Sequence, residues 1–410
     1  MSHVSGYECT ICGREYGTGD NLLTCPVCGD TGILDIRYDY SSLGRSMTRK
    51  FLEGNRDYSM WRYKAAISLD PGDSHKYLRV GWTPLYKSNR LASDLGIKEL
   101  YIKDEGLNPT ASLKDRASAV AAAGALGAGY GTVACSSTGN AASSLAGNAA
   151  RLGLKSVIFV PERAPQGKLA QLLVFGARVM AVKGNYRQTF ELSSEAINRW
   201  GWYNRNAAIN PHLVEGKKTV AMEIAEQLGW KIPDWVAVSV GDGCTIAGVY
   251  KGFFDLMSIG LIERMPRLLG VQSEGCSPFV TAHSSGRPLE AADENTIADS
   301  ISVGIPRNPV KAMRAVLKSG GTWISVTDGK ILEAMKTLGS REGVFGEPAG
   351  AASLAGIEKA VASGIIGAGE SVCMIMTGSG LKDIKNALEA AGSPVYIEPN
   401  MNELIKYFNG

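Results

Sequence analysis

Gly131 to Pro161 reads GTVACSSTGNAASSLAGNAARLGLKSVIFVP, and this stretch decides the fold. The short apolar run from Thr132 to Cys135 ends in small polar residues. An Ala-rich helical stretch follows, and a second apolar run closes the unit at Lys155 to Pro161. Continuously apolar strands are buried on both faces, so they belong to a parallel sheet covered by helices. The same alternation fills the chain beyond residue 80. Strand-like runs recur at ELYIKD (99–104), ARVMAVK (177–183), WVAVSVG (235–241), RLLGVQSE (267–274), GTWISVT (321–327) and SVCMIMTG (371–378). Between them lie stretches such as SLKDRASAVAAAGALGAG (112–129) and KKTVAMEIAEQLG (217–229). The 49 glycines are scattered among these runs, as tight strand-to-helix turns require. The expectation is an α/β protein with two open, parallel-rich sheets covered by helices. A small α/β domain is predicted over 131–209. A large one is predicted from 41–130 together with 210–410. Ligands of such sheets bind beyond the strand C-termini, in the crevice between domains.

At 410 residues the chain is long enough for two or three domains. The 43 basic and 40 acidic residues leave a net charge of +3, too balanced to argue for nucleic acid or an anionic membrane as partner. No apolar run reaches the ~18 residues of a membrane span. The first residues, MSHVSGYECT, lack the apolar core of a signal peptide, so a cytoplasmic location is expected.

Cys9, Cys12, Cys25 and Cys28 form two Cys-x2-Cys pairs, each followed by glycine. Four thiolates at tetrahedral reach fill a zinc site completely, which assigns a structural role to a ribbon over residues 1–40. Cys135, Cys276 and Cys373 stand in apolar surroundings and read as buried small hydrophobes. A polar stretch over 41–77 predicts one or two short helices at most.

The chemistry is carried by strand ends. In Asn108-Pro109-Thr110-Ala111-Ser112-Leu113-Lys114-Asp115-Arg116, Lys114 falls in the first turn of a helix, where the macrodipole disfavours its ammonium. A lysine of lowered pKa can bond to an aldehyde. Ser136-Ser137-Thr138-Gly139-Asn140 offers hydroxyls and free backbone N–H groups, a nest suited to a carboxylate. Gly241-Asp242-Gly243-Cys244-Thr245 makes a second cradle, spaced for phosphate. Thr377-Gly378-Ser379-Gly380 ends the last strand in the same manner.

These four segments, in this order, resemble the pyridoxal-phosphate enzymes of fold type II, the tryptophan synthase β type, and among them the threonine synthase family. The motifs NPTxSxKDR, SSTGN, EPAxAAS and TGSGLKD carry the likeness over residues ~80–385, and the four-cysteine ribbon is similar to one found in some threonine synthases. The resemblance implies that Lys114 bonds to the cofactor's aldehyde and shuttles the proton. It implies that Asn140 bonds the cofactor's phenolic oxygen. Ser136, Ser137, Thr138 and Gly139 would hold the substrate carboxylate. Gly241, Asp242, Gly243, Cys244 and Thr245 would cradle the cofactor phosphate, and Thr377 would face the pyridine nitrogen. A hydroxyl there does not keep that nitrogen protonated as an aspartate would, which favours elimination and replacement over transamination. A homodimer acting on a small amino acid is implied as well.

The likeness has departures. Where the family carries an Asn, a Ser and an Arg toward a substrate phosphate, this chain has Ala207, Ala208 and Leu213. Asp242 replaces a usual Asn, and His212, Lys217, Lys218 and Arg307 are the cations that could compensate. Thr296-Ile297-Ala298-Asp299 reads more like a serine or threonine dehydratase. Two reactions therefore stay open at this point. One converts O-phosphohomoserine and water to threonine and phosphate. The other is a β-elimination or β-replacement on a smaller amino acid, as in a serine or threonine dehydratase, a diaminopropionate ammonia-lyase or a cysteate synthase.

Overall fold

The strands, in chain order, are β1 (Val4–Cys9), β2 (Glu15–Tyr16), β3 (Leu34–Tyr38), β4 (Leu85–Lys87), β5 (Glu99–Asp104), β6 (Thr132–Ser136), β7 (Lys155–Pro161), β8 (Arg178–Val182), β9 (Tyr203–Asn204), β10 (Trp235–Ser239), β11 (Arg267–Ser273), β12 (Thr322–Val326) and β13 (Ser371–Met376). They belong to a computed structural model that describes residues 3–409 apart from 21, 163–165, 185 and 207, with the backbone alone for 166–168, 186–187 and 409.

Three sheets result. The N-terminal one is antiparallel, in the order β2-β1-β3. The largest runs β12-β11-β10-β13-β5-β4 and is parallel except at its edge, where β4 opposes β5. The third runs β8-β7-β6-β9 and is parallel throughout. The two sheets read from the apolar runs are therefore present. The larger one also draws in β5, which lies before the small sheet in sequence and pairs with β13 over its whole length. Every residue of β10 and β13 is buried, as a strand covered on both faces requires.

The polar stretch over 41–77 holds two short helices, Tyr40–Ser46 and Arg49–Gly54, and two 3-10 segments, Ser74–Lys76 and Met60–Ala66. The last of these is less polar in place than in sequence. Trp61 and Tyr63 are fully buried, and Arg62 pairs with Glu226 of helix His212–Gln227 at 2.6 Å. Cys135, Cys276 and Cys373 are all buried. No helix among the described residues is long and apolar enough to cross a membrane.

A buried ionic network fixes the helix that Lys114 opens. Arg116 donates to both oxygens of Glu105, at 2.7 Å each, and to both oxygens of Glu223, at 2.6 and 2.7 Å. Lys103 on β5 adds a 2.8 Å bond to Glu223, and all four side chains are fully excluded from solvent. Buried ion pairs gain little over apolar packing, but deleting one partner strands the others. Glu223→Ala is therefore expected to destabilise the fold by about 3–5 kcal/mol. A denaturant midpoint equal to that of the wild type would contradict this.

Candidate active site

The end of β13 and the loop before Lys114 are hydrogen-bonded to each other. Leu113 N–H donates to the Thr377 carbonyl at 2.9 Å, Ser379 N–H donates to Ala111 at 3.0 Å, and Ser112 bridges to Gly378. Lys114 is the first residue of helix Lys114–Gly127, as read from sequence. It lines a cavity of about 760 Å³ at the C-terminal ends of the strands, together with Ser137, Thr138, Gly139, Asn140, the whole run from Gly241 to Thr245, and Thr377. Burial lowers the Lys114 pKa below the usual ammonium value, opposed by Cys244 and Asp242 and reinforced by Arg205. Desolvation, rather than the helix dipole invoked from sequence, is thus the leading cause.

The carboxylate nest is narrower than its sequence suggested. Ser136 N–H is spent on the Asn206 side chain at 2.9 Å and Ser137 N–H on the Phe159 carbonyl at 3.1 Å. Ser136 ends β6 and lies outside the main cavity, beside Arg205 and Asn206. Thr138, Asn140 and Ala141 keep backbone N–H groups with no partner among the described residues, at the start of helix Asn140–Arg151. The Asn140 side chain donates to Glu347 at 2.8 and 3.1 Å and points toward Ser300 at 3.5 Å. Glu347, the acid of EPAxAAS, also lines the cavity.

The second cradle opens helix Cys244–Ser258, whose N-cap is Gly243 at φ 83°. A Cβ there would meet Ala312 Cβ at 2.7 Å and the Asn308 carbonyl at 2.8 Å, so only glycine fits both the conformation and the space. Asp242 is held to one side. Its carbonyl accepts from Asn308 N–H at 3.0 Å and its carboxylate from Arg307 N–H at 3.4 Å.

The four candidate compensating cations separate. Lys218 pairs with Glu215 and Asp255. His212 bonds Ser68 at 2.8 Å, and burial pushes its pKa down to about 4. Lys217 and Arg307 line the cavity. Arg307 sits over the ring of Phe190, another lining residue, at 3.7 Å. Burial is the first cause that pushes Lys217 down to about 8, with Lys114 and Arg205 adding and Cys244 and Asp242 opposing. Arg205, which sequence reasoning missed, also lines the cavity. It is fully buried, and its Nη2 has no partner among the described residues.

Two of the three departures look different in place. Leu213 is buried against Ala117 and Ala121 and does not line the cavity, so it does not stand in the place of a substrate-phosphate ligand. Ala208, at φ 69°, packs on Ile33 and Cys244 against the cradle. Ala207 lies outside the described residues.

The residues present fit pyridoxal phosphate. An aldehyde needs an amine of lowered pKa, which Lys114 provides, and the cofactor's phosphate needs a helix N-terminus, which the Gly241 to Thr245 cradle provides. The four ribbon cysteines also converge, with all sulfurs within 4.8 Å of one another and Cys12 Sγ 3.8 Å from Cys25 Sγ. Zinc–sulfur bonds of about 2.3 Å at tetrahedral angles place sulfurs about 3.8 Å apart.

A family model for pyridoxal-phosphate dependent enzymes matches residues 77–378. The threonine synthase of Methanosarcina acetivorans is 40% identical over 400 residues, covering 97% of both chains. That of Methanocaldococcus jannaschii is also 40% identical over 400 residues, covering 97% of this chain and 98% of its own. Among solved structures, the diaminopropionate ammonia lyase of Escherichia coli superposes with a TM-score of 0.68 at 23% identity, over 84% of this chain and 96% of that one, a likeness of fold alone. Near-complete coverage at that identity, with the lysine, nest and cradle opening onto one cavity, leads to a single assignment: the chain belongs to the pyridoxal-phosphate-dependent enzymes, in the threonine synthase family.

Proposed function

We propose that the protein converts O-phospho-L-homoserine and water to L-threonine and phosphate. The observation that carries this is the pair of buried cations, Arg205 and Lys217, in the cavity that Lys114 opens onto. Arg205 Nη2 is buried with no partner among the described residues, and Lys217, also buried, lines the same cavity; a buried charge left unpaired is stabilised by an anionic ligand.

When bound, the cofactor supplies the electron sink that loosens bonds at the amino acid's Cα and lets a group leave from Cγ. The chain's residues do the rest. The free N–H groups of Thr138, Asn140 and Ala141 orient the substrate carboxylate. Lys114, with its pKa lowered by burial, takes and returns protons. Arg205 and Lys217 draw anionic phosphate into the cavity. Thr377, which lines the cavity, would offer the cofactor ring a neutral hydroxyl, so Thr377→Asp is expected to raise the share of transamination by-products. An unchanged product ratio in a folded variant would contradict that placement.

A second reading, β-elimination or β-replacement on a shorter amino acid, is favoured by one observation. Neither Ala208 nor Leu213, at the sequence positions where the family carries a serine and an arginine, lines the cavity, so those two contacts to a substrate phosphate are missing. A substrate panel separates the two. Threonine formation from O-phosphohomoserine at higher kcat/KM than any product from serine, threonine, diaminopropionate or phosphoserine supports the first. The reverse order supports the second.

Cys9, Cys12, Cys25 and Cys28 are proposed to hold one zinc ion, with no open position for substrate. Metal analysis of protein purified without chelator is expected to find one zinc per chain. Finding none, or a disulfide joining the pairs, would contradict this.

A further inference from the structure

We infer that Ile33 is a positioning residue for the phosphate cradle, held in register by the four-cysteine knuckle. This rests on reading Gly241 to Thr245 as the cradle for the cofactor's phosphate. Ile33, Ala208 and Cys244 form a buried cluster of their own, at 4%, 2% and 3% exposure. Cys244 is the first residue of the cradle helix, and Ala208 holds a left-handed backbone, φ 69°, that a β-carbon disfavours. The placement of Cys244 sets where the cradle's N–H groups point, and Ala208 packs on it. The ribbon side chain packed on them acts as their backing.

Ile33 is itself tied to the cysteines. Cys25 N–H donates to the Gly32 carbonyl at 2.8 Å, and a Cβ on Gly32 would lie 2.7 Å from the Cβ atoms of both Cys25 and Cys28. On the other side Thr10, next to Cys9, donates to the Ile33 carbonyl from its N–H at 3.0 Å and its hydroxyl at 2.9 Å. A metal gathering the four sulfurs would therefore fix both flanks of Ile33. No described ribbon residue lines the cavity, and Ile33 is the ribbon side chain that packs on Cys244 at the start of the cradle helix.

The test titrates cofactor-free protein with pyridoxal phosphate and, separately, with pyridoxal, which lacks the phosphate. Ile33→Ala is expected to weaken pyridoxal phosphate about tenfold, since small misplacements of binding groups are costly, and to leave pyridoxal within about twofold. Ile33→Val, which keeps most of the side chain, is expected to lose only about twofold to threefold and carries the test if the alanine variant does not fold. Chelating the metal from the wild type should reproduce the selective loss, and chelation of Ile33→Ala should add little. Unchanged affinity for pyridoxal phosphate in either treatment, or equal loss for both ligands, would overturn the inference. A wild type that binds neither ligand would overturn the reading of the cradle, and this inference with it.

Discussion

Lys114→Ala is expected to abolish turnover, with kcat falling by at least about three orders of magnitude, and to leave a folded protein without the yellow colour of the cofactor-loaded wild type. Two functions are lost at once. The amine that bonds the aldehyde is gone, and so is the group that moves protons over the substrate, itself worth about 10²–10⁴ in rate. The fold should not suffer. Alanine is the best helix former, and the change removes an ammonium that burial already disfavours. Absorbance spectra and a steady-state assay check both halves. A variant that stays yellow and active would remove Lys114 from its assigned role.

Lys217→Met has the next largest expected effect. Methionine keeps much of the length and removes the charge, so one charge-assisted contact to phosphate is lost, worth about 1.5–3 kcal/mol. For a phosphorylated substrate kcat/KM should fall about ten- to a hundredfold, mostly through KM, while serine should be affected much less. The pKa of about 8 gives the pH dependence its sign. In cofactor-free protein, affinity for inorganic phosphate is full well below pH 8 and is lost as Lys217 deprotonates through that value, and the Lys217→Met variant lacks this limb. Without an anion, the unfolded chain keeps the Lys217 proton up to the ordinary lysine value of 10.5, so the fold gains stability as pH rises from about 8 toward 10.5. Phosphate titrations by calorimetry on either side of pH 8 measure the binding limb. Equal affinity at both pH values in the wild type would contradict the assignment.

The parts of the site legible in sequence were those fixed by local backbone. Strand ends followed by small residues, such as Ser137-Thr138-Gly139 and Gly241-Asp242-Gly243, announce turns onto helix N-termini, and those turns face the cavity. Side-chain destinations were harder to read. Lys217 and Lys218 are neighbours in sequence but point about 100° apart on a helix, and that rotation decides everything. Lys218 meets Glu215 and Asp255, while Lys217 lines the cavity. Leu213, one turn earlier, faces Ala117 and Ala121 instead. Arg205 was invisible because nothing in Asn204-Arg205-Asn206 says whether an acid waits nearby. Its guanidinium finds Ser118 at 3.1 Å through Nε, and no carboxylate accepts from it among the described residues. The larger sheet was legible strand by strand, yet its order was not, since β5 reaches β13 only after the small sheet has been inserted between them.

The most direct measurement is turnover of O-phospho-L-homoserine by the purified protein supplied with pyridoxal phosphate, with threonine and phosphate quantified together. The account predicts that both appear in equal amounts, at a kcat/KM above that for any unphosphorylated amino acid, and that both vanish in Lys114→Ala. Phosphate release without threonine, or no reaction alongside efficient processing of a shorter amino acid, would contradict it.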